Sequence, residues 1–407
     1  MTEQRSRLED LCELIVDCKN RTPPLTSNTE EAVGHAIGTP DILNGRILLN
    51  NDKRVNQETY DTWTQRAVPQ TGDVVLTREA PVGRVGLVES NMKVCLGQRT
   101  MLLRADRNRV NPRYLTYLLM GPQVQHELHS RASGSTVSHL RVAQVRELPL
   151  PEVPPLREQQ AIAEVLGSLD AKIAANERIA ETTLALAEAL YVRDSANENG
   201  WHEAALADTA KWMSGGTPNT SEPDYWDGDI PWISAASLKS PWLDDSERKI
   251  TGLGAENGTK LVAADAIVFV VRGMSLTSEF RVGLTQREVA FGQDCKALVP
   301  HPGIDSVTLL LALRSRTREI LGLVDTAGHG TGRLGTDRIE KLRVRLPNGD
   351  AAGAAFTETV RSLAKHASAA QRETRTITEL RRTLLPQLIT GKIRVKDAVR
   401  VVEDVAS

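Results

Sequence analysis

The sequence predicts an α+β protein: two globular α/β units in a pseudo-two-fold repeat, joined by two long antiparallel coiled-coil helices. Three observations predict it. Motifs in the first half of the 407-residue chain recur in the same order in the second, at an offset of 194 to 195 residues. Each half carries short β-branched or alternating runs bounded by Gly and Pro, the mark of strands. Each half then ends in a long segment whose apolar residues step by four and three, the seam of a left-handed coiled coil. The implied segments are a first globular unit over 1–153, a central helix over 154–196, a second globular unit over 197–350, and a C-terminal helix and tail over 351–407.

In the first half, strands are expected over 73–77, 83–89 and 100–104, followed by a helix over 112–131 that starts at Pro112. A loop at 132–136 separates that helix from a closing segment ending at Pro151. The second half repeats the order, with strands over 266–271, 281–286 and 296–299, a helix from Ser306, and a loop from Ala327 to Gly332. Leu11, Thr22 and Pro23 match Leu206, Thr217 and Pro218. Val74-Val75-Leu76, leading to Arg78, matches Val268 to Val271, leading to Arg272. Val85-Gly86-Leu87 matches Val282-Gly283-Leu284, and Gly97-Gln98 matches Gly292-Gln293.

The helices carry the clearest period. Ile162, Leu166, Leu169, Ile173 and Asn176 continue to Leu190, and the shifted frame gives Phe356, Val360, Leu363, Ile377 and Leu384. About 36 helical residues span ~54 Å, longer than a small domain is wide. One apolar stripe of that length needs a partner, and its own repeat supplies one. A plainer reading packs each helix only on its own globular half. The paired reading holds two globes at the ends of a rod, able to meet sites about one DNA turn, ~34 Å, apart.

Composition excludes several classes. Lys and Arg total 50 against 52 Asp and Glu, so any surface for nucleic acid must be built locally. Residues 151–200 hold 4 basic against 9 acidic side chains, which makes the first long helix a poor DNA surface. The four cysteines form no CxxC or Cys/His cluster, and no metal site is expected. Apolar runs fall far short of the ~20 residues that span a bilayer, and the polar N-terminal stretch lacks a leader pattern, so a soluble, cytoplasmic protein is expected. No phosphate loop, dinucleotide fingerprint, HExxH or nucleophile elbow is present. His126-Glu127-Leu128-His129 has the wrong spacing for zinc. Asn111-Pro112-Arg113-Tyr114 is read as a helix start, since Arg113 replaces the second proline of the amino-methyltransferase loop that it resembles. Pro223-Asp224 with Glu247-Arg248-Lys249 fits only loosely the pattern of metal-dependent nucleases. No catalytic residue is assigned.

Candidate DNA contacts are therefore loop cations: Lys19, Arg21, Lys53, Arg54, Arg78 and Arg84 in the first half, and Lys239, Arg272 and Arg333 in the second. Arg can pair with guanine in a bidentate way. Ser135, Thr136, His139, Thr217, His329 and Thr331, in or beside Gly-rich loops, can reach phosphates or base edges. Arg78 and Arg272 stand out because each leaves an expected strand at matching places in the repeat.

Ser214-Gly215-Gly216-Thr217-Pro218, continuing through Tyr225-Trp226-Asp227-Gly228-Asp229-Ile230-Pro231-Trp232, resembles the opening of a target recognition domain in the specificity (S) subunits of type I restriction–modification systems. Pro154-Pro155-Leu156-Arg157-Glu158-Gln159-Gln160 is similar to the start of that family's central helical region, and Leu384 to Val395 to its C-terminal ending. The first-half opening, Asp17-Cys18-Lys19-Asn20-Arg21-Thr22-Pro23, departs from the pattern by lacking the paired glycines. The resemblance implies two recognition domains, each reading one half of a bipartite site in double-stranded DNA. It also implies helices that set the spacing and dock two methyltransferase (modification) subunits, with restriction translocase–nuclease subunits joining them. S-adenosylmethionine, ATP and Mg²⁺ then belong to those partners and none to this chain. Two other classes stay open: a self-contained DNA methyltransferase or nuclease, and a coiled-coil scaffold for protein interaction.

Overall fold

A computed structural model describes residues 6–132, 139–197, 199–327 and 330–406. Its contacts fall into two compact units, one formed by Met1–Ile173 with Arg375–Ser407 and the other by Ala174–Thr374. These lines differ from the four sequence segments: each long helix is divided between the units.

Unit 1 contains β1 (Cys12–Asp17), β2 (Gly34–Ile37), β3 (Ile42–Leu43), β4 (Gly45–Ile47), β5 (Arg54–Val55), α1 (Gln57–Thr64), β6 (Val74–Thr77), β7 (Val85–Leu87), β8 (Val94–Leu96) and β9 (Thr100–Ala105). The main sheet runs β1-β9-β6-β7-β4-β3, and a small second sheet runs β5-β2-β8. Strand β6 is buried along its length, which is why it reads as an unbroken apolar run rather than an alternation. Helices α2 (Pro112–Met120), α3 (Pro122–Arg131) and α4 (Val142–Arg146) follow, and α5 (Leu156–Ser195) leaves the unit. The single helix expected over 112–131 is thus two. Gly121 is extended and precedes Pro122, and a residue before proline is pushed out of the helical region. Asn111 starts α2 by accepting from the Tyr114 amide at 3.0 Å.

Unit 2 repeats the plan. It contains β10 (Trp201–Ala205), β11 (Ala210–Ser214), β12 (Trp226–Ile233), β13 (Trp242–Leu243), β14 (Lys249–Ile250), α6 (Gly252–Gly258), β15 (Leu261–Val262), β16 (Ile267–Val270), β17 (Arg272–Gly273), β18 (Val282–Thr285), β19 (Val289–Phe291) and β20 (Cys295–Pro300). Helices α7 (Ser306–Ser315) and α8 (Thr317–Gly322), strands β21 (Val324–Ala327) and β22 (Thr331–Leu334), α9 (Thr336–Ile339) and β23 (Arg343–Pro347) complete it. The main sheet runs β11-β20-β16-β18-β13 and the second β14-β12-β19-β15, the order of unit 1 except that β3 has no counterpart here and β15 has none there. Asp305 caps α7 by accepting from the Thr308 amide at 2.7 Å, the role Asn111 has in unit 1.

The registers fix which residues correspond. Val74 faces Leu87 and Leu103 across β6, as Ile267 faces Leu284 and Leu298 across β16. The Leu8 amide donates to Leu148 and the Leu206 amide to Leu342, so Leu8 rather than Leu11 answers Leu206.

Helix α10 (Ala351–Ile389) is the second long helix, and α11 (Val395–Ala406) follows it. In unit 1, Ile162, Leu166, Leu169 and Ile173 share one core with Ile377 and Leu384, and also with Tyr114, Tyr117 and Leu118 of α2. In unit 2, Asn176 donates to Glu373 at 2.8 Å, while Tyr191 packs on Phe356, so the two segments run antiparallel there. Val360 is fully buried in the unit 2 core and Leu363 packs at its edge. The seam residues therefore serve helix pairing and globular packing together. Burying a leucine as fully as Leu166 contributes about 1.5–3 kcal/mol.

Candidate nucleic-acid interface

In unit 2 the third core strand, β16, runs on through Val271 into β17, where Arg272 lies directly opposite Arg333 of β22. Along β22, Thr331 and Arg333 share the outer face while Gly332 and Leu334 are buried. A side chain at Gly332 would meet Leu276 at 2.7 Å, so glycine lets the Met274–Thr277 turn close down on β22. Met274 itself is 75% exposed. Beside these strands opens a cavity of about 430 Å³ lined by Ser214, Arg272, Gln293, Lys296, Arg333 and Thr336, among others. Lys296 donates to the Ser214 hydroxyl at 3.0 Å. Arg272 approaches Asp294 only to 3.8 Å, with 57% and 39% of their side chains exposed. Asp325, opposite Arg333 on its other side, is held by Arg338 at 2.8 Å. Among the described residues no hydrogen bond or ion pair engages the Arg333 guanidinium. Two cations facing each other across a strand pair repel, so the groove suits an acceptor-rich ligand. Cys295 on its floor is buried, which pushes its thiol up to about 12 and keeps it protonated.

The Gly-Gly-Thr-Pro stretch does a packing task. A side-chain carbon at Gly215 would lie 2.3 Å from the Gly292 carbonyl oxygen, and one at Gly216 would lie 2.2 Å from that of Gly258. Trp232 Nε1 donates to the Gly216 carbonyl at 3.1 Å, fixing the loop. Thr217 is half-buried in it, while Lys239 is exposed. In unit 1, Cys18 stands where Gly215 does, since both amides bond to the residue that opens the neighbouring strand. There Lys19 lies over the Trp63 ring at 4.7 Å.

The unit 1 cations are mostly engaged within the fold. Arg78 pairs with Asp17 at 3.0 Å, is 16% exposed, and also donates to the Leu140 carbonyl at 3.2 Å. Lys53 pairs with Asp41 at 2.7 Å, and Arg54 donates to Asn51 at 3.3 Å. Arg84 donates to the Thr39 carbonyl at 2.9 Å. Arg21 is exposed. Ser135, Thr136 and His329 lie outside the described residues. The structure thus brings together Arg272, Thr331 and Arg333.

Arg78 and Arg272 are not counterparts, although their sequence settings match. The Arg78 amide donates to the Arg99 carbonyl and the Val271 amide to that of Asp294, both at 2.8 Å, so Arg78 corresponds to Val271 and Glu79 to Arg272. One step along a strand turns a side chain to the opposite face. Lys296 and Asp294 had no sequence signal beyond the repeated Gly-Gln before them. Among the described residues no group of three or more His, Cys, Asp or Glu could hold a metal, and no helix is long and apolar enough to cross a membrane.

A family model described as the type I restriction modification DNA specificity domain matches residues 3–183 and 198–354. The chain is 27% identical over 270 residues to the specificity subunit of the type I restriction enzyme EcoR124I/EcoR124II of Escherichia coli, covering 64% of this chain and 65% of that relative. It is 23% identical over 378 residues to the MjaIX specificity subunit of Methanocaldococcus jannaschii, covering 86% and 84%. The crystal structure of a type I restriction–modification S subunit from M. genitalium superposes with a TM-score of 0.61 over 95% of both chains at 17% identity, a likeness of fold.

Proposed function

The chain belongs to the type I restriction modification DNA specificity family, and from that premise we propose that it selects the DNA sequence on which a modification and restriction complex acts. Each unit reads one half of a two-part site in double-stranded DNA, and the long helices set the gap between the halves. The duplication carries this reading: one sheet order and one register occur twice, with different side chains at equivalent outward positions. Shared docking with different reading is what a bipartite target requires. The Arg272–Arg333 groove is the contact surface of unit 2, aided by Thr331, Thr217 and Lys239. In unit 1, Lys19, Arg21 and His139 serve. Arg78, Arg84, Lys53 and Arg54 brace that surface from within.

Catalysis belongs to partners. Two modification subunits bring S-adenosylmethionine, and restriction subunits bring ATP and Mg²⁺, in the cytoplasm. Within unit 2, Ile179 and Leu186 of α5 are 46% and 48% exposed and lie two helical turns apart on one face. That apolar stripe supports docking of a modification subunit. The test is selection from randomised duplexes by the full chain with its modification subunits. A motif of two short blocks separated by a fixed gap is expected, and a single contiguous block would overturn the reading. The chain alone, given DNA, S-adenosylmethionine and Mg²⁺, is expected neither to methylate nor to cleave; either activity would show an enzyme instead.

A further inference from the structure

Resting on that reading, we infer that the end of the third core strand is one reading position with opposite polarity in the two units. Arg272 contacts guanine in one half of the target, and Glu79 contacts the amino group of cytosine or adenine in the other. The backbone defines the position. Leu76 lies opposite Met101 and Phe269 opposite Lys296. The Leu140 amide donates to the Arg78 carbonyl as the Leu334 amide donates to that of Val271. Glu79 bridges to His139 as Arg272 pairs with Arg333. Hence Glu79 stands where Arg272 does, Arg99 where Asp294 does, His139 where Arg333 does, and Met101 where Lys296 does.

At this shared position the charges are exchanged. Unit 1 has Glu79 against Arg99 at 3.4 Å, and unit 2 has Arg272 against Asp294 at 3.8 Å. The exposed fractions are 27% and 45% in unit 1, and 57% and 39% in unit 2. Ion pairs so open to water add little stability in either order. Exchange therefore keeps the pair and inverts only the group offered at the strand end. The surroundings follow the same sense. In unit 2, Lys296 and Arg333 reinforce the positive charge, while in unit 1 the place of Lys296 is taken by buried, uncharged Met101 and that of Arg333 by half-buried His139. One position can only donate, through a guanidinium, and the other accepts, through a carboxylate. In the major groove guanine offers two acceptors, N7 and O6, whereas cytosine and adenine each offer an amino donor. Arginine matches the first edge and glutamate the second.

The test compares motifs selected by the full chain with its modification subunits. Arg272→Glu with Asp294→Arg is expected to replace guanine at one position of one half-site, with binding to the parental duplex falling about tenfold or more. Glu79→Arg with Arg99→Glu is expected to introduce guanine at one position of the other half-site. Arg272→Ala and Glu79→Ala, single truncations of surface side chains, should relax the same positions and serve if an exchanged pair does not fold. Folded variants that select the parental motif with unchanged affinity would overturn the inference. So would variants that weaken on every duplex alike, which marks phosphate contact. In both cases the unaltered chain still selects a two-part motif, and only the polarity assignment falls. An unaltered chain that selects no such motif removes the underlying reading and this inference with it.

Discussion

At the residue scale, Arg78 and Arg272 differ in what water they see. Arg78 is tied to Asp17 and to the Leu140 carbonyl, whereas Arg272 makes a long contact to Asp294. Arg78→Ala leaves the Asp17 carboxylate without its cation and is expected to cost about 1–3 kcal/mol of stability, read as a lower urea midpoint, with both half-site sequences unchanged. Arg272→Ala is expected to change stability by less than about 0.5 kcal/mol, leaving that midpoint nearly where it was, and to alter one half-site. The reverse pattern would exchange their roles. Strand-end arginines are legible in the amino-acid order, but the face they take depends on hydrogen-bond register, which sets Arg78 one residue away from the place of Arg272. Asp294 was illegible for a simpler reason: one acid after Gly-Gln has no pattern until its counterpart Arg99 is known from pairing.

At the element scale, central strands and long helices were legible because β6 and β16 are continuous apolar runs and the helices keep a sustained period. The small sheets were not. β2 contains Gly34 and a polar His35, and β8 is three residues long, too short for periodicity to speak. Of the heptad residues, Leu166, Leu169, Val360 and Leu384 are buried and Leu363 is half-buried, and the stripe does not face one helix alone, since Leu166 and Leu169 also pack with α2. Arg381, between Ile377 and Leu384, adds a charge to that stripe. Buried at 8% exposure, it pairs with Asp170, which also accepts from the Tyr117 hydroxyl at 2.6 Å, and it donates to the Asn44 carbonyl at 3.0 Å. Arg381→Leu strands the half-buried Asp170 carboxylate, 13% exposed, and is expected to destabilise the full chain by about 3 kcal/mol, with Arg381→Leu and Asp170→Leu together regaining most of it. Urea unfolding checks both. A single variant as stable as the parent would show that water already serves Asp170.

At the scale of the whole molecule, charge is nearly balanced, with 50 basic and 52 acidic residues. Few phosphates can then be neutralised by this chain alone. Its binding to DNA is expected to be weak and to vary gently with salt, the logarithmic slope steepening when modification subunits join. A steep slope for the isolated chain would place the phosphate contacts here instead. The make-up of the units has one more consequence. Unit 2 is a single stretch, Ala174–Thr374, but unit 1 needs Arg375–Ser407 to complete its core. Translation therefore releases every part of unit 2 before the last piece of unit 1 leaves the ribosome. The half that is written first matures last, so the nascent N-terminal half must wait with an unfinished core while its duplicate is made.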